Sequence, residues 1–202
     1  MRELLPGVYH WTAVHPKIGV EVGSYLLADS GTLVDPMLPP EGIEWFDGER
    51  RPDRIVLTNR HHLRDSERIA SAYACPILCH EAGLHEFAGG PDVKGFAFGD
   101  ELAPGVTALE VGAICDEETA LRIDSGDGVL SVADAVIHYG PELGFVPDQY
   151  LGDDPDGVKR AIVESCRRLL DEPFDALLTA HGDPIVSGGK DALRRFVEQG
   201  AG

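Results

Sequence analysis

Short apolar runs come in two rounds along this chain, and each round gives way to helical spacing. The first round holds Gly7-Val-Tyr-His-Trp11, residues 20–27 and Gly31-Thr-Leu-Val-Asp35, divided by Asp-Ser-Gly and proline-rich breaks. It reads as an antiparallel meander. Residues 54–58 and 76–79 then read as strands, with helices predicted over 66–74 and 81–87. The second round holds residues 106–111, 119–123 and 128–132, separated by Gly/Asp turns. Helical spacing returns through Val158, Ala161, Ile162, Leu169 and Leu170, and again through Ala192, Leu193, Phe196 and Val197, ending at Gly200. Between these helices the strand Asp175-Ala-Leu-Leu-Thr-Ala180 delivers His181-Gly182 at its end. Strands and helices in this order predict an α/β chain of two similar halves, with sheets packed inside and helices outside.

At 202 residues and 43% hydrophobic, the chain supports one sizeable core, so residues 1–202 are predicted to form a single domain. A formal charge of −18 opposes phosphate backbones and anionic membrane surfaces. The expected partner is a small-molecule ligand or substrate. Proline and glycine interrupt the first residues before any leader-like apolar run, and no stretch of about 18 apolar residues follows, which predicts a cytoplasmic protein. Cys75, Cys79, Cys115 and Cys166 are too scattered for a disulfide framework. Cys75-Pro-Ile-Leu-Cys79-His80 lacks the second close pair that a tetrahedral zinc site needs, so its cysteines are expected in the core.

Polar residues punctuate the strand ends at telling places. Gly23-Ser-Tyr-Leu-Leu27 precedes Leu33-Val-Asp35, and Val56-Leu-Thr58 runs into Asn-Arg-His-His-Leu-Arg-Asp-Ser66. Gly99-Asp-Glu-Leu102 makes a turn before the second round. Gly128-Val-Leu-Ser-Val-Ala-Asp134 and Leu178-Thr-Ala-His181-Gly182 each end in a potential ligand. In order and approximate spacing this series resembles the metallo-β-lactamase superfamily, over nearly the whole chain. The resemblance implies a four-layer αββα sandwich of two mixed sheets, with metal ligands at strand ends and hydrolysis by a metal-activated water.

The ligand set the resemblance leads one to expect is short here. Members carry Thr-His-x-His-x-Asp-His where this chain has Thr58 onward, and without a gap those positions fall on Asn59, His61, Leu63 and Arg64. A small insertion places Asp65 and Ser66 at the last two positions instead. No histidine lies between His85 and His138, where the third ligand belongs, and Cys115 is the sole donor there. What the resemblance leaves is a metal set of His61 (or its neighbour His62), Asp65, Asp134 and His181, with Asp134 and His181 as the catalytic pair. Such a set holds one divalent ion (Zn, Fe or Mn) in an open two-histidine, one-carboxylate site, or none.

Each of these residues has a structural alternative. Asp65 before Ser66 and Glu67 reads as a helix N-cap. His62, adjacent to His61, is expected to point away from it. Arg64, or Arg60, can fork onto Asp134 and supply the charge a metal would otherwise bring. The acidic residues 148–156 lack the spacing of a calcium loop, and neither a phosphate-binding glycine loop nor a Gly-x-Ser-x-Gly elbow occurs. Two functions therefore stay open: a metal-free or mononuclear member of this fold without its usual chemistry, or an active mononuclear hydrolase of a small ester, thioester, lactone or phosphoester.

Overall fold

The computed structural model describes residues 1–200. Its first sheet takes seven strands in sequence order: β1 (Arg2–Leu5), β2 (Val8–Val14), β3 (Glu21–Leu27), β4 (Thr32–Val34), β5 (Arg54–Leu57), β6 (Ile77–His80) and β7 (Val93–Phe96). Pairing is antiparallel from β1 to β4 and parallel from β4 to β7. The second sheet runs β12-β11-β10-β9-β8, where β8 is Glu101–Ala103, β9 Val106–Glu110, β10 Thr119–Ile123, β11 Val129–Val132 and β12 Ala176–Thr179. Only β11 and β12 are parallel in it.

Side-chain alternation explains the layering. Tyr25, Leu27, Val34 and Val56 meet Val106, Ala108, Leu121 and Leu178 between the sheets. Their sequence neighbours Leu26, Leu33, Ile55 and Leu57 face outward and are covered by α1 (Ser66–Tyr73) through Ile69 and Tyr73. Leu130 and Leu177 face outward from the second sheet under α2 (Pro155–Leu169) and α3 (Gly189–Gly200), against Ile162, Cys166, Leu193 and Phe196. Both faces of both sheets are therefore buried, and the layer order is helix, sheet, sheet, helix.

Two expectations need correction. Residues 81–87 form a 3-10 stretch rather than an α-helix; Gly83 packs so closely that a Cβ there would lie 2.8 Å from Glu117 Cγ. The strands β1, β7 and β8 went unpredicted, the last falling where residues 99–102 read as a turn. Arg-Glu-Leu-Leu and Val-Lys-Gly-Phe carry too much charge and glycine for a periodic signal, as suits edge strands that must not recruit a further partner.

The sheets are also tied to each other by polar bonds at one end. Gly23 N–H donates to Ala180 O at 2.8 Å, and Tyr25 Oη donates to Thr179 O at 2.7 Å. Glycine is required at 23, since a Cβ would stand 2.9 Å from Thr179 O. At this end β4, β5, β11 and β12 all finish.

Candidate metal site

Parallel pairing decides which residues meet. Strands β4 and β5 run side by side and release Asp35, Thr58 and Asn59; β11 and β12 do the same for Asp134 and His181. After β5 the chain makes a 3-10 turn over Arg60–His62, begun by Asn59, whose Oδ1 accepts the His61 N–H at 2.9 Å. The turn swings His62 inward and leaves His61 exposed. His62, Asp134 and His181 each bring one potential ligand atom into a group lying within 4.8 Å of one another.

Hydrogen-bond direction fixes what those atoms offer. Asp35 is buried and accepts from Thr58 N at 2.8 Å and from Thr58 Oγ1. Its Oδ2 lies 2.8 Å from His62 Nδ1. A carboxylate can only accept, so Nδ1 carries a proton and His62 Nε2 faces the cluster. Asn59 donates Nδ2 to Asp134 Oδ2 at 3.0 Å and turns the same amino group toward His62 Nε2 at 3.4 Å. Asp134 Oδ1 stands 3.3 Å from His62 Nε2 and 3.1 Å from His181 Nε2, yet it is buried with no hydrogen-bond partner.

These separations suit an ion. Ligand atoms about 2.1 Å from one metal, at angles between octahedral and tetrahedral, stand roughly 3.0–3.4 Å apart. The donor set, two imidazoles and a carboxylate, also matches zinc-class metals.

The electrostatics are those of a tight charge cluster. Burial works against a charged His62, but Asp35 and Asp134 on either side outweigh it and raise its pKa from 6.5 to about 9. Burial likewise opposes a charged Asp134, while His62 and His181 hold it well below the usual carboxylate range. Beneath them, Glu118 accepts from Asp134 N and Ile114 N, each at 3.1 Å. Its burial, then the Asp134 charge, push it up to about 7.

The structure brings Asp134 and His181 together and corrects three placements. His61 is not in the cluster; His62 takes that place, because a 3-10 turn advances about 120° per residue and only one of two adjacent side chains can face inward. Asp65 is neither in the cluster nor a side-chain cap for α1: its Oδ2 accepts from Leu38 N at 2.8 Å and fastens the loop after β4. Neither arginine pairs with Asp134. Arg64, at φ +45°, donates Nη1 to Gly23 O and Asp35 O, each at 2.6 Å, and Arg60 pairs with Glu117 at 2.5 Å. Cys115 lies outside the cluster too; burial and a hydrogen bond with Glu117 push its thiol pKa up. Glu118 carried no sequence signal beyond its place at a strand edge, and Asn59 stood out only as the residue at the first ligand position of the resemblance.

Asn59 makes a first prediction. Asn59→Ala removes both the start of the 3-10 turn and a donor to a partly buried carboxylate, so chemical denaturation should show a loss of about 1–3 kcal/mol. An unchanged midpoint would mean that water replaces the amide.

No family model matches the sequence, and no curated protein does. Solved structures match it well in shape. A metallo-β-lactamase family protein from Thermus thermophilus superposes with a TM-score of 0.69 at 19% identity, covering 98% of this chain and 80% of its own. TTHA1623, solved in a di-iron-bound form, gives 0.68 at 21%, covering 90% of this chain and 96% of its own. An archaeal metallo-β-lactamase superfamily protein from Sulfolobus tokodaii gives 0.66 at 14%, with 96% and 85% covered. The chain has the metallo-β-lactamase fold.

Proposed function

We propose that this protein is a metal-dependent hydrolase of reduced, mononuclear type, in which His62, Asp134 and His181 hold one divalent ion of the zinc, iron or manganese class. One observation carries the reading: Asp134 Oδ1 is buried without a hydrogen-bond partner while two imidazole nitrogens stand 3.1 and 3.3 Å away. Three electron-rich atoms this close call for a cation among them. A structural neighbour held two irons; the group here brings three ligand residues together, a set suited to one ion.

When bound, the ion supplies Lewis acidity, polarising a substrate oxygen and making water acidic enough to attack near neutral pH. The remaining work falls to the chain. Asp35 keeps the Nδ1 proton of His62 and so aims Nε2 inward. Asn59 fixes the rotation of the Asp134 carboxylate. The substrate class is a small ester, thioester, lactone or phosphoester.

A second reading, a small-molecule-binding protein that keeps the fold without a metal, is favoured by the His62 pKa of about 9, because a proton there supplies positive charge to Asp35 and Asp134. Metal titration separates the two. Protein stripped with chelator and titrated calorimetrically with zinc, iron(II) or manganese is expected to take up one ion per chain; no uptake of any of the three would sink the hydrolase and leave the binding protein.

A further inference from the structure

Tyr139 is a residue that neither the motif positions nor the ligand group includes. It lies in the loop after Asp134 and is 57% exposed, yet its hydroxyl is held at two places. Tyr139 Oη is 3.2 Å from Glu21 O at the start of β3 and 3.3 Å from His181 Nδ1. A backbone carbonyl can only accept, so the phenolic hydrogen is spent on Glu21 O. The oxygen is then left to accept, and the group within its reach is His181 Nδ1.

The loop is not free to set this aside. His138 N donates to His181 O and His138 O accepts from Asp183 N, each at 3.0 Å, pinning the residue before Tyr139 against the histidine's own backbone. Gly182 lies between, at φ +86°, where a Cβ would fall 2.0 Å from His138 O. Only glycine permits that approach.

We infer that Tyr139 is a positioning residue that fixes the tautomer of His181, keeping the proton on Nδ1 and the Nε2 lone pair turned toward Asp134. It does for His181 what Asp35 does for His62, but from the solvent side and with a neutral group. Both imidazoles then present a bare Nε2 to one point. Without the phenol, His181 Nδ1 has only water to meet, and either tautomer serves; the one with its proton on Nε2 cannot ligate. The inference rests on the mononuclear metal reading for its effect on affinity, whereas the tautomer itself does not depend on a metal.

Tyr139→Phe keeps the ring and removes the oxygen. Zinc affinity, measured by competition with a chromophoric chelator, is expected to fall about tenfold, the usual cost of losing such an outer partner. Long-range proton–nitrogen NMR spectra of the zinc-free protein at alkaline pH should show His181 protonated on Nδ1 in the wild type and shifted toward Nε2 in the variant. Tyr150→Phe, at an equally exposed tyrosine outside the cluster, should change neither. An unshifted tautomer in Tyr139→Phe overturns the inference, whatever the affinity does. If the wild type takes up none of zinc, iron(II) and manganese, the metal reading fails alone, and the spectra still decide the role of Tyr139.

Discussion

His181→Ala is expected to weaken zinc binding about a hundredfold and to leave the fold standing. Metal binding by small protein sites is worth roughly 10–16 kcal/mol over four ligands, so one ligand contributes about 3 kcal/mol, or two decades in affinity. His181 sits past the end of β12 with its side chain partly exposed, and truncating it opens a space that water can enter. His62→Ala should behave differently. That imidazole lies between Asp35 and Asp134, two carboxylates at the sheet ends, and removing it leaves Asp35 with Thr58 and the more distant Arg64 charge for compensation. Breaking a buried charge pair in this way costs about 3–5 kcal/mol. Calorimetric zinc titration and thermal melting, run on both variants, should show one losing metal alone and the other losing metal and stability together. Equal melting temperatures for the two variants would contradict this division of roles, and full zinc affinity in His181→Ala would remove it from the site.

The contrast between these histidines also shows what a sequence can carry. Asp134 and His181 were readable because each ends an apolar strand, and strand ends are where the parallel pairs β4–β5 and β11–β12 bring residues together. Layering was readable for a similar reason: alternating apolar positions such as Leu26 and Leu27 serve two cores at once. Inside the loop after β5 that logic ends. Whether His61 or His62 turns inward depends on a 3-10 turn begun by the Asn59 side chain, and no periodicity encodes one turn. Asp65 carries the composition of a helix cap, but the unpaired Leu38 N–H competes for its carboxylate and wins. Arg64 sits at a family ligand position and was expected to meet Asp134; two backbone carbonyls reach its Nη1 instead. These outcomes depend on contacts across 27 and 41 residues, which local pattern does not report.

Removing and restoring the ion should turn the pH dependence of stability around. In chelated protein His62 titrates near 9, against 6.5 when unfolded, because Asp35 and Asp134 face it. A raised pKa contributes stability that is complete below the unfolded value and lost as pH climbs through the folded one. The loss therefore falls between pH 6.5 and about 9 and amounts to about 3 kcal/mol by linkage. Glu118, raised from 4.5 to about 7, adds a loss of the same sign at lower pH. On the acid side Asp134, held well below its ordinary value, keeps the folded state favoured until pH drops beneath the usual carboxylate range. Urea unfolding in chelator should accordingly show greatest stability in mildly acidic buffer and a steady decline to pH 9. With zinc present the proton on His62 Nε2 competes with the ion for one lone pair, so affinity grows as pH rises, and the ligand-linked stabilisation grows with it. The two curves should separate by several kcal/mol at pH 9 and approach each other below pH 6. Because the chain carries a formal charge of −18, whose self-repulsion also changes with pH, both series belong in the same fixed salt. A chelated protein whose stability is flat from pH 6.5 to 9 would show that no proton is held between Asp35 and Asp134.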